Sequence, residues 1–97
     1  MEIKEYEKET ISTIYQAIFK VTGISSNRYM YNDCREREVI DAKRIALVFI
    51  RNETKLSLMQ IGRLMKIHHA SVLHHLRKHD SLMDVDIDYN RSFRQVN

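Results

Sequence analysis

Apolar residues at Ile3, Tyr6, Ile11, Ile14, Tyr15, Ile18 and Val21 recur every three, four or five positions, the repeat of one face of an α-helix. The spacing predicts a helix over residues 3 to 21, ended by Gly23, which can take a left-handed cap. Residues 25 to 34 are polar and mixed, and read as a connector with a weak signal for a short helix carrying Tyr29 and Met30. From Glu36 to Glu53 the positions Val39, Ala42, Ile45, Ala46 and Phe49, with Ile50 beside them, predict a long helix at the centre of the core. Ser57 and Gln60 match a capping box, so a helix from Leu58 to about Lys66 follows, burying Leu58, Ile61, Leu64 and Met65. After a break at Lys66, Ile67 and His68, a further helix is expected to bury Val72, Leu73 and Leu76 and to point its first turn outward. Beyond Asp80 the run MDVDIDY alternates like a strand, but a lone strand leaves its backbone unpaired. A capped loop is therefore expected there, then a helix starting at Asp86 or Asp88 with Tyr89, Phe93 and Val96 buried. The fold class is all-α: a compact bundle of five to six helices containing a helix-turn-helix, read as a single domain over residues 1–97 because no repeat, linker or low-complexity tract interrupts it.

Composition narrows the function. With 97 residues, 43% hydrophobic and 30% charged, the chain suits one small globular domain rather than an enzyme with a separate cofactor domain. The longest apolar run, Ile45 to Ile50, is far short of a membrane span, and the charged first ten residues are unlike a signal peptide, so a cytoplasmic protein is expected. Cys34 is the single cysteine, which excludes an internal disulfide and a multi-cysteine zinc site; with no base beside it, its reading is structural or incidental. Gly23 and Gly62 are too far apart to form a phosphate-cradling loop. No catalytic residues, cofactor, nucleotide or membrane partner are expected.

Charge is unevenly distributed. Residues 1 to 27 hold 3 bases and 4 acids, residues 28 to 79 hold 11 and 5, and residues 80 to 97 hold 2 and 4. Between Lys55 and His79 there is no acid, while Lys55, Arg63, Lys66, Arg77, Lys78 and all five histidines fall there, the signature of a polyanion-binding surface. Two helices joined by a short turn, the second with a polar first turn, form the arrangement that places a recognition helix in the DNA major groove. Gly62 fits it, because a residue without a side chain permits a close approach at the cost of helix propensity. Two rival readings come from other classes. One is a helical protein-interaction module whose basic face meets an acidic partner. The other is zinc held by His75 and His79 at i, i+4 with Asp80 or His68; lacking a third ligand at defined spacing, no metal site is expected.

The blocks KRIA (Lys43 to Ala46), SLMQIG (Ser57 to Gly62) and HHASVLHH (His68 to His75) occur in the order and spacing of the C-terminal DNA-binding domain of the bacterial replication initiator DnaA, with one residue lost in the turn. Over roughly residues 11 to 80 the chain resembles that family. The resemblance implies a helix-turn-helix that binds double-stranded DNA with sequence preference, as a replication-initiator-like or regulatory module of a bacterium, phage or mobile element. It also implies where the contacts lie. His69 matches the signature His, Ser71 the second of two Thr that read bases, Arg35 an Arg that enters the minor groove, and Lys43 an Arg that contacts phosphate. The departures are that the base-reading Asp is His68, the first Thr is Ala70, the paired Gly are the single Lys66 and the signature Arg is Ile67. Ala70 can touch a thymine methyl, and His68 can donate to a guanine acceptor or a phosphate. The expected DNA surface is thus His68, His69, Ala70 and Ser71 on bases, Arg35 in the minor groove, and Lys43, Lys55, Arg63, Lys66 and Lys78 on phosphates. His74 reads as a partly buried packing residue, and the alternating charges Arg35, Glu36, Arg37 and Glu38 leave open a mutual neutralisation. No counterpart of the initiator's nucleotide-binding module is expected within these residues.

Overall fold

A computed structural model describes residues 3–31 and 36–97. Among them are six helices and no strand: α1 (Glu5–Thr22), α2 (Ser26–Tyr31), α3 (Arg37–Glu53), α4 (Leu58–Met65), α5 (His69–Val85) and α6 (Ile87–Val96). The all-α class holds. Arg35 and Cys34 lie outside the described residues.

Helix α1 begins where the Glu7 carboxylate accepts from the Lys4 backbone N–H at 3.1 Å. It ends at Gly23, whose φ of 74° closes a backbone bond to Phe19. Its buried residues are Glu7, Ile11, Ile14 and Ile18; of the predicted apolar stripe, Tyr6 is 50% exposed. Helix α3 is covered on nearly every side over Arg44 to Ile50 and forms the axis of the core, meeting α1, α2, α4 and α5. A helix buried all round is where truncation costs most; replacing a fully enclosed Ile such as Ile50 by Ala typically costs about 2–5 kcal/mol.

Three segments differ from the reading of the sequence. The stretch read as a connector contains α2, a six-residue helix fixed by Tyr29, 1% exposed, and preceded by the buried Ile24. Such a helix is too short to show a period and is held by packing rather than by propensity. The loop expected after Asp80 is instead the last turns of α5, because Leu82 and Met83 continue its buried stripe. Only at Asp86 does the chain break, where one carboxylate oxygen accepts from the Tyr89 N–H at 3.0 Å and starts α6. Third, Leu73 is 37% exposed rather than buried.

A polar and aromatic seam joins α3, α5 and α6. Arg44, 6% exposed, pairs with Asp41 at 3.1 Å; Arg37 pairs with both Asp41 and Asp86. Asp86 therefore caps α6 and ties it to α3, and the Tyr89 N–H followed by Arg37 holds its carboxyl below the usual carboxylate range. Nearby, His79 Nδ1 and the Tyr89 hydroxyl are 2.7 Å apart, and the His79 ring lies 4.5 Å from Phe93, itself stacked on Phe49 at 4.7 Å. The predicted buried residues of α6 are thus in place, Tyr89 fully and Phe93 and Val96 in part.

Candidate nucleic-acid interface

The pair α4 and α5 is built by local sequence. Ser57 Oγ accepts from the Gln60 N–H at 3.2 Å while the Gln60 side chain accepts from the Ser57 N–H at 2.9 Å, so the predicted capping box exists in both directions. Ile61 and Met65 enter the core. Gly62 faces the turn that follows: a Cβ there would stand 2.6 Å from the Ile67 carbonyl oxygen and 3.3 Å from the His69 nitrogen. The close approach is to the backbone of the turn, and it sets the angle between the two helices. Lys66 then takes the left-handed conformation, φ 61°, ψ 40°, alone among described non-glycine residues. A single residue so placed turns the chain from α4 into α5 within three residues, Lys66 to His68.

His68 starts α5. Its carbonyl accepts from Ser71 at 2.9 Å and from Val72 at 3.2 Å, and its ring Nδ1 accepts from the Ala70 N–H at 3.1 Å. The His68 and His69 rings stack at 4.2 Å. Val72, fully enclosed, sets the phase of the helix: His75, Leu76, His79, Leu82 and Met83 follow it inward at i+3, i+4, i+7, i+10 and i+11. Ala70 and Ser71 are turned away from that face, while His69 and His68, at i−3 and i−4, share it but lie at the open start of the helix, and all four are exposed. The structure therefore brings the four expected base-facing residues together on one free leading turn.

The expected phosphate-binding residues come from α3, α4, α5 and the loops that join them. Arg63 is exposed on α4 one turn after Met59, itself 51% exposed, and Lys66 follows in the turn. Lys78, exposed, lies on the Ser71 side of α5 at i+7. Half-buried Lys43 projects from α3 toward the same helix, close enough for its charge to act on His75. Lys55 is exposed in the loop between α3 and α4.

His74 corrects the reading of the sequence. It is exposed, and the half-buried ring is its neighbour His75, at i+3 from Val72. On the outward side of α5, His74 continues the line of Ala70 at i+4 and Ser71 at i+3, and Arg77 follows it. Both belong to the acid-free run that the sequence marks as a polyanion-binding surface, but neither is assigned a DNA contact there; the phase of Val72 puts both on the outward side. Desolvation, then Arg44, His74 and Lys43, push the His75 imidazole down to about 4. Desolvation likewise lowers His79. Among the described residues, no three His, Cys, Asp or Glu side chains gather as a metal-ligand group, and His79 Nδ1 is engaged by Tyr89. Nor is any described helix long and apolar enough to cross a membrane.

The leading turn of α5 is exposed and carries no acid, and comparison with known families identifies the helix pair to which it belongs. The family described as the bacterial dnaA protein helix-turn-helix matches residues 11–78. The chain belongs to that family. Its matched span runs from Ile11 in α1 through α5 as far as Lys78, so it includes both helices of the pair and the central helix that supports them. Membership in the DnaA helix-turn-helix family carries DNA binding in general. Comparison with curated proteins and with solved structures gives no match.

Proposed function

We propose that this DnaA-like domain binds double-stranded DNA sequence-specifically, as a regulatory or initiator-like module. The leading turn of α5 enters the major groove: His68, His69, Ala70 and Ser71 meet base edges. Lys43, Lys55, Arg63, Lys66 and Lys78 engage phosphates on either side. A helix with its side chains is close to the ~12 Å width of the groove, so short side chains at its tip reach the base edges while long cations reach the strands. Arg35 is assigned to the adjacent minor groove on the family resemblance alone. His74 and Arg77, on the outward line of α5, extend the phosphate contacts.

The observation that carries the proposal is the contrast at the start of α5. Val72 is 0% exposed, while the four residues before it are all exposed and none is acidic. Phosphate contacts provide most of the affinity and the leading turn most of the discrimination.

Selection from a random duplex pool tests the proposal. An enriched motif is the expected result. Salt-sensitive binding without any enriched motif would refute sequence reading and would leave the basic face to an acidic protein partner.

A further inference from the structure

The His68 hydrogen bond fixes more than the start of a helix. The Ala70 N–H is obligatorily a donor, so the Nδ1 it meets at 3.1 Å must carry a lone pair, and the ring proton resides on Nε2. Nδ1 is consumed by the cap. The His69 ring, stacked on it at 4.2 Å and 30°, restrains the plane, and the residue is exposed. What His68 offers to the outside is therefore one N–H at Nε2 and no acceptor.

We propose that His68 is a specificity-determining residue that selects a guanine. This rests on the proposed placement of the α5 leading turn in the major groove. Of the four bases, guanine alone presents two acceptors, O6 and N7, with no donor or methyl beside them; adenine and cytosine present an amino donor, and thymine a methyl next to its O4. A fixed N–H donor with no acceptor matches guanine and is repelled by an amino group. An Asp at this position has the opposite polarity, since a carboxylate only accepts and pairs with the cytosine amino group. The exchange of Asp for His thus reverses the polarity of one contact while keeping the helix cap, because both side chains can accept from a backbone N–H at the N-cap.

The experiment is site selection on the wild-type chain, on His68→Asp and on His68→Asn, each checked for helicity by circular dichroism. Both replacements keep a cap oxygen, so folding is retained. The wild type is expected to enrich a motif with guanine at one position. His68→Asp should switch that position alone toward cytosine, with the guanine preference changed about tenfold, the worth of one good base-edge contact. His68→Asn, whose amide can still donate, should keep guanine with a weaker preference. If the wild type enriches a motif that neither variant alters, the inference fails and sequence reading by the rest of the turn stands. If both variants weaken every duplex equally, His68 serves a phosphate, and the inference again fails. If no motif is enriched by any of the three proteins, it is the major-groove placement itself that fails.

Discussion

Gly62 and Lys66 show how much a helix-turn-helix depends on single backbone positions. A methyl at 62 would intrude on the Ile67 carbonyl, a backbone atom that cannot swing aside. Overpacking of that kind typically costs about 1–3 kcal/mol, more than the ~1 kcal/mol that Ala gains over Gly in a helix. Gly62→Ala is therefore expected to lower the urea midpoint despite better helix propensity. Lys66 has the reverse balance, since its left-handed backbone is strained for any residue with a side chain. Lys66→Gly should stabilise the fold by roughly 0.5–1 kcal/mol and at the same time weaken binding on all duplexes alike. The two effects are separable by denaturation and by titration with an unrelated duplex. Gly62 was legible in the sequence as a site of close approach. That Lys66 would bear the left-handed turn was not, because nothing in a lysine announces a positive φ.

At the scale of helices, the phase of α5 explains both what the sequence conveyed and what it concealed. Strong periods produced α1 and α3, and the capping box produced α4, because each of these is decided locally. The inward and outward sides of α5 are decided by Val72 against the core, and histidines carry no polarity signal of their own, so His74, read as partly buried, is exposed and the half-buried ring is His75. The short α2 and the acidic end of α5 were obscured for a related reason. Tyr29 and Leu82 gain their burial from other helices, and alternating aspartates at 84, 86 and 88 imitate a strand. His75 gives this arrangement a pH signature. Its folded-state pKa, about 4, lies below the ordinary value of 6.5, so on acidification the unfolded chain takes up the proton first. The stability linked to His75 is full above about pH 6.5 and drains away toward pH 4; His79 acts in the same direction. Thermal midpoints measured from pH 7 to 4 should fall, and His75→Gln should flatten the fall. A wild-type midpoint that rises on acidification across this range would refute the burial of neutral His75.

For the whole molecule, the charge asymmetry of the chain becomes a matter of orientation. The N-terminal end of α5 belongs to an acid-free run, while its C-terminal end and the start of α6 carry Asp80, Asp84, Asp86 and Asp88. Phosphates attract one end of this helix and repel the other, which favours a single docking pose. If Lys43, Lys55, Arg63, Lys66, Arg77 and Lys78 each neutralise one phosphate, the logarithm of affinity should fall against the logarithm of salt concentration with a slope of about −5 to −6. Lys55→Gln or Arg63→Gln should each reduce that slope by about one, uniformly across sequences. A slope near −1 would leave most of these cations off the DNA.

The most direct measurement is the affinity of the wild type, His69→Ala and Ser71→Ala for a selected duplex and for a scrambled one of equal length, at one fixed salt concentration. Each substitution is expected to cost about 1–3 kcal/mol on the selected duplex and little on the scrambled one. Equal losses on both duplexes, or no loss on either, would contradict a leading turn of α5 that reads bases.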